Sequence, residues 1–192
     1  MAVRGFAGRK FRIGEEAELR QWTKSDAETV FEAAKKNYEH LQTFMEWIKP
    51  DHSLDDYQKF VDSEIAGSAD MKSLGFGIFS HSELIGSIGF AYFDDAAKVT
   101  EIGYWIAATE EGKGIITKAC QILIDFAFND LGMNRVQIRC ATANSRSAAI
   151  PERLGFTKEG VQRLHIIRNG KLYDFAIYGL LASEWQKAGL KV

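Results

Sequence analysis

One short stretch, Glu111-Gly112-Lys113-Gly114-Ile115-Ile116-Thr117, constrains this chain more than any other. Before it, Glu101 to Ala108 is rich in β-branched and aromatic residues and predicts a strand. After it, Ile116, Ala119, Cys120, Leu123 and Ala127 recur at helical spacing, which predicts a helix over Ile115 to Asn129. Strand, glycine-bearing turn and helix start thus follow one another directly. That arrangement aims several backbone N–H groups, and the positive end of a helix dipole, at one spot suited to a phosphate. The same glycines would also serve a plain tight turn. The spacing excludes a Walker A loop, Gly-x-x-x-x-Gly-Lys-Ser/Thr, and a dinucleotide fingerprint, Gly-x-Gly-x-x-Gly.

The remainder predicts an α/β chain with a mixed sheet and helices on both faces. With 192 residues, 46% of them hydrophobic, it can bury one sizeable core. Residues 1–9 read as a flexible tail and residues 10–192 as a single domain. Lys10 to Ile13 and Glu16 to Trp22 predict a hairpin about Gly14. Ser25 and Glu28 form a capping box, with Thr23 as a competing cap, for a helix carrying Ala27, Val30, Phe31 and Ala34 at core spacing. Helical pieces at Asn37 to Trp47 and Leu54 to Ala66 flank a break at Pro50-Asp51. A three-strand meander follows (Ser73 to Phe79, Leu84 to Tyr92, Lys98 to Ala107), in which Gly75, Gly77, Gly86 and Gly89 mark bulges or close backbone approaches. Gly132 ends the central helix, and Arg135 to Ala141 is a strand. Asn144 or Ser145 caps a short helix distorted by Pro151 and ended by Gly155. Thr157 to Arg168 and Lys171 to Leu181 form a hairpin about Asn169-Gly170.

Charge excludes some functions. The net charge of −2 is spread over interspersed signs, without the basic stripe that binding nucleic acid requires. No run is long enough to span a membrane and Met1 to Lys10 lacks an apolar stretch, so a cytoplasmic protein is expected. Cys120 and Cys140 fall on apolar faces and read as small buried hydrophobes. His40, His52, His81 and His165 lack ligand spacing, and no metal is expected.

Three separated blocks carry a family resemblance. Glu111-Gly112-Lys113-Gly114-Ile115-Ile116 resembles the acyl-CoA pyrophosphate loop of the GNAT N-acetyltransferases, Gln/Arg-x-x-Gly-x-Gly/Ala, with Glu111 and Ile116 departing from it. Asn144-Ser-Arg-Ser147-Ala-Ala-Ile-Pro-Glu-Arg-Leu-Gly-Phe156 is similar to the second signature, Asn-x-x-Ser/Ala before a helix ending in Leu-Gly-Phe. Leu19-Arg20, Ser25-Asp26-Ala27 and Asn37-Tyr-Glu-His40-Leu41 through Trp47 resemble the ribosomal-protein (RimJ/RimL-type) branch. The resemblance implies a GNAT fold: one mostly antiparallel sheet of about seven strands, splayed in the middle, with helices on both faces. It implies acetyl-CoA as co-substrate, its pantetheine arm pairing with the strand Thr100 to Ala107 as an added strand. The implied cofactor contacts are Ile106, Ala107, Glu111, Gly112, Lys113, Gly114, Ile115, Ile116, Thr117, Asn144, Ser147 and Arg153. Asn37, His40, Phe44 and Trp47 would line the acceptor cleft, although Phe44 and Trp47 equally suit a core. A homodimer is expected, as is common in the family.

The implied chemistry is attack of a neutral amine on a thioester, collapse of a tetrahedral intermediate and loss of a thiolate. A backbone N–H of the Glu101 strand would polarise the carbonyl. The tyrosine that many members place four residues after the Asn-x-x-Ser/Ala block is Pro151 here, which leaves Ser147 to protonate the thiolate, as in the ribosomal branch. Glu101, acting through water, is the expected base and His165 the alternative. A weak base favours an α-amine, with a pKa of about 8, over a lysine near 10.4 that is only about 0.1% neutral at pH 7.5. The expected acceptor is therefore a protein N-terminus, as on a ribosomal protein. Two alternatives stay open. One is a small amine (polyamine, amino acid or drug), to which Glu39, Glu46, Asp51, Asp55 and Asp56 offer acids. The other is a silent acyl-CoA sensor, since Glu111 would repel a pyrophosphate unless Lys113 offsets it.

Overall fold

The computed structural model describes residues 10–15, 17–45, 47–168 and 170–188. The expected tail at 1–9, Glu16, Glu46 and the turn residue Asn169 lie outside the described residues. The eight strands are β1 (Lys10–Ile13), β2 (Ala17–Gln21), β3 (Leu74–Ser80), β4 (Glu83–Asp94), β5 (Val99–Ile106), β6 (Arg135–Ala141), β7 (Thr157–Arg168) and β8 (Lys171–Leu181). They form one sheet in the order β1-β2-β3-β4-β5-β6-β8-β7. Every neighbouring pair is antiparallel except β5 and β6.

That exception makes the site. The parallel ladder runs only over Val99–Arg135, Thr100–Val136 and Glu101–Gln137, after which the strands part. Beyond Glu101, the backbone groups of β5 that face β6 have no strand partner among the described residues, which is the splay the family resemblance implies.

Alternation along the strands builds two cores. Leu19, Ile78, Ile88, Ile102, Val136 and Tyr178 point to one face of the sheet and pack against Ile116, Ala119, Cys120, Leu123 and Ile124 of helix α4 (Ile115–Asp125). Leu123 is fully buried, which stabilises the fold by roughly 1.5–3 kcal/mol. The opposite face carries Trp22, Phe79, Leu84 and Trp105 against helices α1 (Ala27–Lys36), α2 (Tyr38–Leu41) and α3 (Leu54–Ala69). A π-helical turn at Phe126–Asp130 extends α4. Helix α5 (Ser145–Arg153) contains Pro151, and helix α6 (Ala182–Ala188), unanticipated from the sequence, buries Trp185.

Two local expectations are corrected. The cap before α1 pairs Thr23 with Asp26 rather than Ser25 with Glu28. Asp26 accepts from the Thr23 N–H (2.7 Å) and hydroxyl (2.8 Å) and from both ends of the Arg20 guanidinium (2.8 and 2.7 Å). The helix expected over Asn37 to Trp47 is a single turn, Tyr38–Leu41. Phe44 packs on Tyr173 of β8 while Trp47 stacks on Phe60 of α3.

Candidate active site

Two cavities flank the splay. The larger, about 1450 Å³, is built on the start of α4. Gly112 and Gly114 hold φ of +75° and +76°, a left-handed conformation that other residues adopt at a cost of about 1–2 kcal/mol. Gly114 is the N-cap of α4 and supplies no capping side chain, so the first-turn N–H groups of Ile115, Ile116 and Thr117 are left for an anion. All of these residues except Lys113 line the cavity, together with Ile106, Glu111, Asn144, Ser147 and Arg153. Arg153 donates to the Thr117 hydroxyl (3.1 Å) and so stands at the same mouth. An uncapped helix start beside a basic side chain fits a pyrophosphate.

Two residues expected at this loop stand differently. Lys113 is turned to Glu110 (2.9 Å) and does not offset Glu111. Arg146 does, through a hydrogen-bonded ion pair, with His40 Nε2 3.5 Å from the other carboxylate oxygen. Ala107 lines neither cavity: it is buried, and its N–H donates to the Ile85 carbonyl (2.7 Å).

The smaller cavity, about 510 Å³, lies between the sheet and the segment joining α2 to α3. Phe44, Met45 and Trp47 wall it above, Trp105, Arg139 and Phe175 below. Its floor includes Gly75, Gly89 and Gly103, cross-strand partners on β3, β4 and β5. The two cavities share Phe44, Met45, Tyr104, Trp105, Asn144 and Ser147, and therefore meet where β5 and β6 part.

Ser147 stands at that junction. Its N–H donates to Asn144 Oδ1 (3.1 Å), which caps α5. Its hydroxyl donates to the Tyr104 oxygen (3.2 Å), and the Tyr104 hydroxyl donates back to the Ser147 carbonyl (3.0 Å). Burial holds the Tyr104 phenol well above its usual range, so it stays protonated at neutral pH. Burial likewise raises the Cys140 thiol, an effect the Ser147 hydroxyl opposes.

The expected bases stand elsewhere. Glu101 accepts from Arg139 Nε (2.8 Å) and Gln137 Nε2 (2.9 Å) and lines neither cavity, because it belongs to the last paired rung of β5 and β6. His165 is exposed, stacks on Phe175 at 5.8 Å and also lies outside both cavities. Among the four expected acceptor contacts, Phe44 and Trp47 line the smaller cavity, whereas His40 lines only the larger one. Asn37 lines neither. It is buried, donating to the Ala33 carbonyl (2.9 Å) and accepting from the Ala108 N–H (3.4 Å), and so ties α1 to the end of β5. Of the acids considered for a polyamine, Glu39, Asp51, Asp55 and Asp56 do not line the smaller cavity, and Glu46 lies outside the described residues. Asp55 pairs with Lys59, Asp56 accepts from the N–H and hydroxyl of Ser53, the N-cap of α3, and Glu39 accepts from Gln42.

Sequence reading missed Tyr104, Arg139 and Glu64. Tyr104 was signalled by alternation, since β5 puts it on the opposite face from Trp105. Glu64 follows Tyr57 and Phe60 at helical spacing, a carboxylate at an apolar position of α3.

Residues 17–157 match the model of the acetyltransferase (GNAT) domain. The chain belongs to the GNAT acetyltransferase family. It is 36% identical over 176 residues to YdaF of Bacillus subtilis (strain 168), covering 91% of this chain and 96% of that one; the relative's name assigns it provisionally to the ribosomal N-acetyltransferases. Among solved structures it is similar to RimL, a ribosomal L7/L12 α-N-protein acetyltransferase in complex with coenzyme A (25% identity, TM-score 0.86, 90% of this chain and 98% of that one). It is also similar to the microcin C7 self-immunity acetyltransferase MccE in complex with acetyl-CoA and AMP (31% identity, TM-score 0.82, 88% and 93%). In this GNAT chain, Pro151 of α5 is buried, and Ser147 is the α5 hydroxyl facing the junction.

Proposed function

We propose that this GNAT protein transfers an acetyl group from acetyl-CoA to the α-amino group of a polypeptide, as on a ribosomal protein, by direct attack in a ternary complex. The observation that carries the reading is the meeting of the two cavities at Phe44, Met45, Tyr104, Trp105, Asn144 and Ser147: a donor reaching in from the α4 side and an acceptor from the α1–α3 side would come into contact there. The helix start at Gly114 and Arg153 would hold the pyrophosphate. The unpaired edge of β5 beyond Glu101 would pair with the pantetheine arm and polarise the thioester carbonyl. Ser147 would give its proton to the departing thiolate, with Tyr104 as its positioning residue.

The named relatives support the acceptor class, and so does the acid–base arrangement. Glu101 is committed to Arg139 and His165 lies outside the cavities, so neither stands ready to deprotonate a lysine. An α-amine near pKa 8 supplies its own neutral fraction. A homodimer in the cytoplasm completes the reading. It is supported by exposed Val161, Leu164 and Ile167 on the edge strand β7 and by two free, buried cysteines. The test is mass-spectrometric mapping of acetyl groups on a lysine-containing peptide with a free N-terminus. Acetylation at the α-nitrogen supports the proposal, and acetylation at lysine alone refutes it.

A further inference from the structure

The acceptor-side cavity contains a device that the reading above leaves unused. Gly75, Gly89 and Gly103 are register partners, so they strip side chains from a line running across β3, β4 and β5. A Cβ at Gly103 would meet nothing within 4 Å, which makes the β5 end of this groove open space. At the β3 end, a Cβ on Gly75 would collide with the Glu64 carboxylate. Gly75 is therefore what allows that carboxylate to lie on the floor.

Glu64 has no hydrogen bond or ion pair among the described residues, and burial alone raises its carboxyl above the ordinary range. Arg139, a cation in the same cavity, is committed to Glu101. Three aromatic rings line the same space: Trp22 packs edge-on against Phe60 (6.3 Å), and Trp47 stacks on Phe60 (5.7 Å, 4°). A half-buried carboxylate with no hydrogen bond or ion pair among the described residues, in a cavity lined by aromatic side chains, is complementary to a cation.

We infer that Glu64, with Trp22, Trp47 and Phe60, forms a cation subsite at the far end of the acceptor groove, which takes a basic side chain at about the third residue of the acceptor polypeptide. The inference rests on the N-terminal acetyltransferase reading. The span sets the position. Gly103 adjoins the junction residue Tyr104 and lies two strand spacings, about 10 Å, from Gly75; an extended chain covers about 3.3–3.6 Å per residue, so an α-amine held beside Gly103 places the third residue near Gly75. The groove suits a polypeptide, because the residues flanking Gly89 on the cavity floor are the small Ser87 and Ala91, leaving width for side chains as well as backbone.

The test is steady-state thiol release with acetyl-CoA and peptides that differ only at the third residue (lysine, alanine or glutamate), for the wild type, Glu64→Gln and Glu64→Lys. The wild type should prefer lysine. Glu64→Gln should lower the lysine-to-alanine ratio of kcat/KM by about 10-fold, mainly through KM, and Glu64→Lys should turn the preference toward glutamate. Acetyl-CoA affinity by calorimetry checks that each variant is folded. Turnover by the wild type that ignores the third residue, or a preference that survives Glu64→Gln, overturns this inference alone. No release with any peptide overturns it together with the proposed function.

Discussion

Replacing Tyr104 with phenylalanine tests how the junction works. The substitution removes one buried oxygen that accepts from the Ser147 hydroxyl at 3.2 Å and donates to the Ser147 carbonyl at 3.0 Å, while the ring stays in place. Each neutral hydrogen bond contributes about 1 kcal/mol, so the variant should lose about 2 kcal/mol, or about 4–8 °C in Tm for a chain of this size. Catalysis separates positioning from packing. General acid catalysis contributes about 100-fold or more, so Ser147→Ala should lower kcat by about that factor with acetyl-CoA affinity retained. Tyr104→Phe, which only frees the Ser147 hydroxyl to rotate, should cost about 10-fold, the equivalent of 1.4 kcal/mol. If the phenol acts through Ser147, the double variant should match Ser147→Ala rather than fall a further 10-fold. The assay is thiol release at saturating acetyl-CoA for all four proteins. Multiplicative losses would show that Tyr104 acts on its own account, and an unaltered rate in Ser147→Ala would remove the serine from the mechanism.

Gly114→Glu places a carboxylate within about 5 Å of a phosphate bound at the start of α4, a repulsion of about 1–3 kcal/mol; calorimetry should show acetyl-CoA binding weakened roughly 5- to 150-fold. Glu111→Gln should act in the opposite sense, because it frees Arg146 and His40 from the carboxylate; a roughly 3-fold tighter Kd is expected, and weaker binding would contradict the account of this loop. Burial would raise the Asp26 carboxyl, but hydrogen bonds from Arg20 and Thr23 overcome it and hold the group below its ordinary value. Its stabilising share is therefore full above the unfolded value of about 4 and is lost as pH falls through the lowered folded value. Asp26→Asn should melt several degrees below the wild type at pH 7, with the gap closing in strong acid.

The parts of this molecule that were legible in the sequence are those set by local chemistry. Gly112 and Gly114 announced a turn into a helix because few other residues adopt their φ, and Asn144 announced the cap of α5 through its side chain. β6 lies where alternation put it, and β7 and β8 where the Asn-Gly hairpin signal put them. What stayed hidden depends on which residues meet across the sheet. Glu101 was expected to work as a base because the resemblance places it on the strand beside the thioester, but its partner Arg139 lies 38 residues away and captures it. Lys113 was the one neighbour considered for offsetting Glu111, a role that falls to Arg146 of α5. The splay follows from a ladder that stops after three rungs, which no spacing in either strand records. Family signatures supplied it instead. The Gly75–Gly89–Gly103 row is likewise a product of register, invisible until three strands are aligned.

The most direct test of the central claim is calorimetric titration of the intact protein with acetyl-CoA, followed in the same samples by thiol release on adding a peptide with a free N-terminus or its N-blocked counterpart. Binding, with release only for the free N-terminus, is the expected result. Failure to bind acetyl-CoA, or release that is indifferent to blocking the α-amine, would contradict it.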